Sequence, residues 1–258
     1  MSTPTKRELR EQRRAARREA ERAQAARETR RRRAWRLGGV AAMAAVTVVI
    51  AAAVSSSGGS TAPPRDTGGA RAAALFRGIP ERNGVLGDPR APLTLTEFVD
   101  LQCPFCARVS ASTLPTIVED YVRSGKVRLE ARTLHFLGPD STVAAQVAAG
   151  AERQGKLWPF LEVFYANQGQ ENSGYVTDAF LRRVATAAGV DAGEALAQAN
   201  SAFAQRRLDR ADAEGRRLGV DSTPTLVVSG NGRAPHVLDA DPLDPRSVSA
   251  ALDRELRR

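Results

Sequence analysis

Cysteine is scarce: Cys103 and Cys106 are the only two among 258 residues. A framework of structural disulfides is thereby excluded, and closing so short a loop removes little unfolded-chain entropy. Histidine is as sparse, with His135 and His236 about 100 residues apart. A structural zinc site asks for four ligands, commonly a second C-x-x-C or a paired histidine motif. Neither is present, so no metal is expected and neither histidine is assigned a role. Net charge is missing where a fold must be. The chain carries 38 Lys+Arg and 29 Asp+Glu; residues 1–36 hold 14 and 5 of these, leaving 24 of each sign in the rest. The overall charge of +9 therefore belongs to one tail, and the remainder has no bulk electrostatic reason to bind nucleic acid.

That tail, KRELREQRRAARREAERAQAARETRRRR, has almost no large apolar residue and cannot bury a face. From Leu37 to Val54 run 18 residues without a charge, near the lower limit for a helix that spans a bilayer. Basic residues crowd before this segment, and Arg65 is the first one after it. The positive-inside rule makes residues 1–36 a basic cytoplasmic tail, 37–54 a single transmembrane signal-anchor helix, and everything beyond extracytoplasmic. Anionic lipid would also attract the cluster. Two other readings stand beside the uncleaved anchor: cleavage at the small-x-small run Ala51-Ala52-Ala53, and a loose twin-arginine pattern at Arg32-Arg33-Ala34-Trp35. Residues 55–78, opening with Ser, Gly and Pro, read as a flexible linker. Outside the cytoplasm a lone vicinal cysteine pair is more often a catalyst than a staple.

The chain is arranged around Thr94–Cys106, TLTEFVDLQCPFC. Leu95, Phe98 and Val99 give it strand character, and it ends in Cys103-Pro104-Phe105-Cys106. Strand, C-x-x-C, then helix is the arrangement of a thiol–disulfide redox site. Cys103 fits the N-cap and Pro104 the first helical position, where a missing N–H costs nothing. The Cys103 sulfur then meets unpaired backbone N–H groups and the positive end of the dipole, which stabilise a thiolate. Because the thiolate both attacks and leaves in disulfide exchange, Cys103 is the expected nucleophile, exposed at the turn, and Cys106 the resolving thiol. Glu97, in a strand heading for the core, is placed to move protons to and from Cys106 if buried with a raised pKa. An edge-of-strand acid facing water is the plainer alternative.

Further elements follow in order. Val109, Leu114, Ile117, Val118 and Tyr121 continue the active-site helix, with Pro115 inside it as a kink. Val127–Leu134 alternates like a second strand. Helical stretches are predicted at 141–154, 157–167, 177–188, 192–199 and 204–218, with Trp158, Phe160, Leu161, Phe164 and Tyr165 as core. A hairpin follows, Thr225–Ser229 against His236–Leu238 around Asn231-Gly232. Last comes a helix from Pro245 to about Leu256, capped by Asp244. Thr223-Pro224, at the mouth of the third long strand, marks an edge, a bulge or a cis turn.

Glu97-Phe98, the C-P-F-C motif and Thr223-Pro224-Thr225, with a helical block between them, resemble the thioredoxin superfamily. Within it they resemble the DsbA-like thiol–disulfide oxidoreductases. The resemblance covers residues 79–258. It implies an α/β thioredoxin-like fold of four or five strands with a helical subdomain inserted at about 139–218. It implies that Pro224 is cis and packs against Cys103, that Thr223 pairs through its backbone with an extended substrate, and that Glu97 is the family's buried acid. It further implies that reduced exported proteins are substrates and that a quinone-linked membrane protein of the DsbB or vitamin K epoxide reductase type reoxidises the pair, with no other cofactor. Phe105 stands where the family's best-known oxidases carry histidine. Without an imidazolium the reduced form is less stabilised, so the expected potential lies between roughly −120 mV for DsbA and −270 mV for thioredoxin. A reductase or isomerase, and a client-binding chaperone module whose cysteines are incidental, are the alternatives.

Overall fold

The architecture is that of a computed structural model, which describes residues 68–257. Its centre is β3 (Leu93–Asp100), buried at all eight positions. β3 runs parallel to β4 (Val127–Leu134) and antiparallel to β5 (Thr225–Gly230). The sheet order is β1-β2-β4-β3-β5-β6. The two-residue strands β1 (Glu81–Arg82) and β2 (Val85–Leu86) form one edge hairpin, and β6 (Arg233–Val237) forms the other edge. The sheet thus has six strands rather than four or five. The extra pair arises because Asn83 and Gly84 both take positive φ, 52° and 74°, and turn the chain back tightly onto β4.

Helices cover both faces of β3, so its threonines are buried along with its apolar residues. On one face Leu95 and Val99 join a large apolar cluster with Cys106, Ile117, Phe160 and Phe164. On the other, Phe98 packs with Leu134, Ala211 and Val227. Helix α1 (Gly69–Leu75) precedes the sheet, and α2 (Pro104–Ile117) follows β3. Between β4 and β5 lie α3 (Pro139–Arg153), α4 (Leu157–Ala166), α5 (Asp178–Ala187), α6 (Ala192–Gln198) and α7 (Ala202–Leu218). Together they form the helical insertion. Phe164, Tyr175 and Phe180 meet edge-on or tilted at its centre, with centroids 5.0–6.3 Å apart. The chain ends in α8 (Pro245–Leu256), capped by Asp244, whose side chain accepts from the Arg246 N–H.

One expectation is corrected here. The linker expected to reach residue 78 is helical from Gly69: Ala72, Leu75 and Phe76 are buried at i, i+3 and i+4. A stripe only two turns long is easily lost in an alanine-rich stretch. Pro115 lies inside α2, which runs on through it to Ile117. Lacking an N–H, it leaves the Ala111 carbonyl without its helical donor, and Arg71 of α1 supplies one at 3.1 Å while also reaching the Ser110 carbonyl at 3.2 Å. Beyond Pro115 the helix widens into a π turn, Val118–Val122. The tail, the anchor segment 37–54 and the first part of the linker lie outside the described residues. Among the described residues no helix is long and apolar enough to cross a membrane.

Candidate active site

Cys103 is the N-cap of α2, with φ −73° and ψ 118°, and Pro104 opens the helix. Both cysteines are free thiols. The turn that presents them is built by Asp100 at the end of β3. Its carboxylate accepts from the Gln102 N–H at 2.8 Å, the Leu137 N–H at 3.2 Å and the Ser141 hydroxyl at 2.5 Å. Its carbonyl accepts from the Cys103 N–H at 3.0 Å and from the Tyr165 hydroxyl at 3.3 Å. Gln168 clamps the same turn, donating to the carbonyls of Leu101 at 2.7 Å and Cys103 at 3.2 Å. The two sulfurs are therefore carried on a stretch tied to strand, helix and insertion at once.

Charge separates the two thiols. Cys103 is pulled from its ordinary 9.0 down to about 6. The Cys106 thiol donating to it is the largest cause. Burial opposes, while the Thr223 side chain and the N–H groups of Cys106 and Phe105 assist. Cys106 moves the other way, well above its ordinary value, chiefly through burial and then through its hydrogen bond to Cys103. Near neutral pH the pair holds one thiolate, on Cys103, and one thiol, on Cys106.

Thr223–Pro224 is a cis peptide, and Cys103 Sγ lies 3.2 Å from the Thr223 carbonyl oxygen. That contact corrects one expectation. Cys103 is not exposed at the turn but only 3% accessible, because the loop before β5 closes over its sulfur. Phe105 is 49% exposed beside it, under the guanidinium of Arg108, 5.6 Å from the ring centroid. Phe136, 53% exposed, belongs to the segment that Asp100 holds. Glu97 is buried and its pKa is raised from 4.5 to about 8, first by burial and then by the neighbouring Glu162 carboxylate. Its charge also acts on Cys106.

Cys103, Cys106, Thr223, Pro224 and Glu97 are thus brought to one place. The histidines lie elsewhere, His135 against Asp212 at 3.3 Å and His236 against Glu255 at 3.5 Å. Sequence reasoning missed Asp100, Gln168, Tyr165 and Glu162. A local signal existed only for Asp100, an aspartate two residues before the N–H it captures, as in an Asx turn.

A family model described as Thioredoxin matches residues 81–254. The chain belongs to the thioredoxin family. A Bacillus cereus protein described as a disulfide bond formation protein D is 27% identical over 177 residues, covering 67% of this chain and 78% of that one. Among solved structures, oxidised BdbD from Bacillus subtilis aligns with a TM-score of 0.60 at 22% identity, over 70% of this chain and 97% of its own. DsbA from Chlamydia trachomatis aligns with a TM-score of 0.58 at 19% identity, over 67% and 91%. At those identities the structures speak for the fold alone. The fold they share is DsbA-like, and the family model with the curated relative supports a thiol–disulfide oxidoreductase.

Proposed function

We propose that this thioredoxin-family oxidoreductase is a membrane-anchored, extracytoplasmic oxidase that introduces disulfides into exported proteins through Cys103 and Cys106. The observation that carries the reading is the split between the thiols: a Cys103 held near 6 at a helix N-terminus beside a Cys106 held protonated. An oxidase needs its reduced form stabilised and a good leaving group at the outer sulfur, and a low-pKa Cys103 supplies both.

In the proposed cycle a client thiolate attacks Cys103 Sγ of the Cys103–Cys106 disulfide. The S–S bond breaks and Cys106 departs as a buried thiolate, taking a proton from the Glu97 carboxyl group. A second client thiolate then attacks the client sulfur of the mixed disulfide and Cys103 leaves as a thiolate. The client has lost two electrons and the enzyme has gained them. A quinone-linked membrane partner of the DsbB or vitamin K epoxide reductase type returns them to the quinone pool. To enter, the client strand displaces the Thr223 carbonyl from Sγ and pairs with that backbone as an added strand. The anchor at 37–54 and the linker after it hold the site at the outer membrane surface. A reductase or isomerase is the second reading, favoured by Phe105, which adds no positive charge beside the thiolate.

The test is oxidative refolding of a reduced, unfolded client. The oxidised protein restores client activity, and neither Cys103→Ser nor Cys106→Ala does, because neither can form the Cys103–Cys106 disulfide. Offered a client that already carries a disulfide, Cys106→Ala is trapped as a mixed disulfide at Cys103. Full activity of the Cys103→Ser protein would leave only a chaperone role.

A further inference from the structure

Side chains alternate along a strand, so Glu97 shares a face of β3 with Leu95 and Val99, turned toward the layer that holds Cys106, Phe160 and Phe164. On α2, Cys106 and Ser110 stand one turn apart on the same side, both buried. Ser110 Oγ donates to Glu162 Oε2 of α4 at 2.5 Å. Arg71 Nε lies 3.1 Å from Glu162 Oε1, and its side chain is 45% exposed while that of Glu162 is 2% exposed. The same guanidinium is pinned to the Ala111 carbonyl that Pro115 leaves free, and to that of Ser110. A polar file therefore crosses an apolar layer, from the protein surface at Arg71 to the neighbourhood of the resolving sulfur.

Two carboxylates share that layer on unequal terms. Glu162 has a hydroxyl donor and a guanidinium. Among the described residues no hydrogen bond or ion pair reaches the Glu97 carboxyl group, and its ladder neighbours Ala131 and Leu226 carry no charge. The other titratable groups around it are Cys103 and Cys106 on α2, Tyr165 on α4 and Asp100 on its own strand. Burial raises the Glu162 pKa as well, but the Ser110 hydroxyl and Arg71 oppose that rise and nothing opposes it at Glu97. Negative charge in the layer therefore settles on Glu162 first, and a second charge on Glu97 is opposed by it.

We propose that Glu162, clamped by Arg71 and Ser110, is a positioning residue for the redox reaction, its fixed charge keeping Glu97 in the acid form until Cys106 takes the proton. This rests on the reading of Glu97 as the proton carrier. It gives α1 a function beyond packing, because the helix brings in the cation that ionises Glu162. The titration of Glu97 to about 8, with Glu162 among its causes, agrees with it.

The experiment uses the full chain in its oxidised form, in which neither cysteine titrates. The Glu97 carboxyl is followed by infrared difference spectroscopy across pH, its band assigned with Glu97→Gln. The rate at which a small dithiol opens the disulfide is followed alongside. Glu162→Gln keeps an acceptor for Ser110 and lowers the Glu97 midpoint by about one unit. The pH above which opening slows falls with it, so that opening at the wild-type midpoint slows about fivefold. Glu162→Asp, which keeps the charge, restores both. An unmoved midpoint in Glu162→Gln, or identical behaviour of the Gln and Asp variants, overturns the proposal. A Glu97→Gln protein that opens at the wild-type rate instead overturns the proton-carrier reading, while the midpoints still report whether Glu162 governs Glu97.

Discussion

Replacing Cys106 by alanine leaves a single cysteine and removes the donor that contributes most to holding Cys103 near 6. A hydrogen bond to a charged group contributes about 1.5–3 kcal/mol, and one pKa unit corresponds to about 1.36 kcal/mol. Cys103 should therefore rise by about 1–2 units, to between about 7 and 8. At pH 7 the thiolate fraction drops from about 90% to between about 10% and 50%. Ultraviolet thiolate absorbance, or the pH dependence of alkylation, reads this directly because no second thiol is present. Cys106→Ser keeps a donor at the same place and should stay nearer 6. A Cys106→Ala protein that still titrates near 6 would refute the reasoning, and would move the stabilisation to the backbone N–H groups of Cys106 and Phe105 and the side chain of Thr223.

Three further outcomes are expected. Because the Cys103 pKa is lower in the folded reduced protein than the ordinary 9.0, its stabilisation is complete only above 9.0 and is lost as pH falls through 6. At pH 7 it amounts to about 1.4 kcal/mol, so reduced protein should lose about that much unfolding free energy between pH 7 and 5 beyond what oxidised protein loses, measured by urea denaturation. Phe105→His should make the pair more oxidising by up to about 30 mV, the equivalent of one pKa unit on Cys103. Arg108 beside that position opposes a second cation, so a glutathione titration should find less than this ceiling. Asp100→Asn can leave Oδ1 accepting from the Gln102 N–H and the Ser141 hydroxyl, but then sets an amide donor against the Leu137 N–H. It should cost about 2–3 kcal/mol, and an unchanged denaturation midpoint would show that the turn is held by other contacts.

What was legible in the sequence was whatever short-range rules govern. Cys103 as N-cap and Pro104 at the first position follow from backbone geometry alone. So do the Asp244 cap and the Asn231-Gly232 turn, with both residues at positive φ. The buried aromatics of α4 follow from its nearly continuous apolar run. Long-range features were hidden. The resemblance brings Pro224 to Cys103, but nothing near Cys103 announces that the Thr223 carbonyl closes over its sulfur. Glu162 reads as one acid on a helix until Ser110 and Arg71, 52 and 91 residues distant, are brought to it. Pro115 reads as a kink, but its consequence is a carbonyl left for a cation from α1. The helix start that carries the redox pair is thus local and readable, while the residues that clamp its turn, Gln168 and Tyr165, and those that set the charge around it come together only on folding.

The most direct test of the oxidase reading is the redox state of Cys103 and Cys106 in the living cell, fixed by acid quenching and read by alkylation trapping. A pair found mainly as the disulfide is the predicted result; a pair found mainly as thiols would contradict an oxidase and point to a reductase or isomerase.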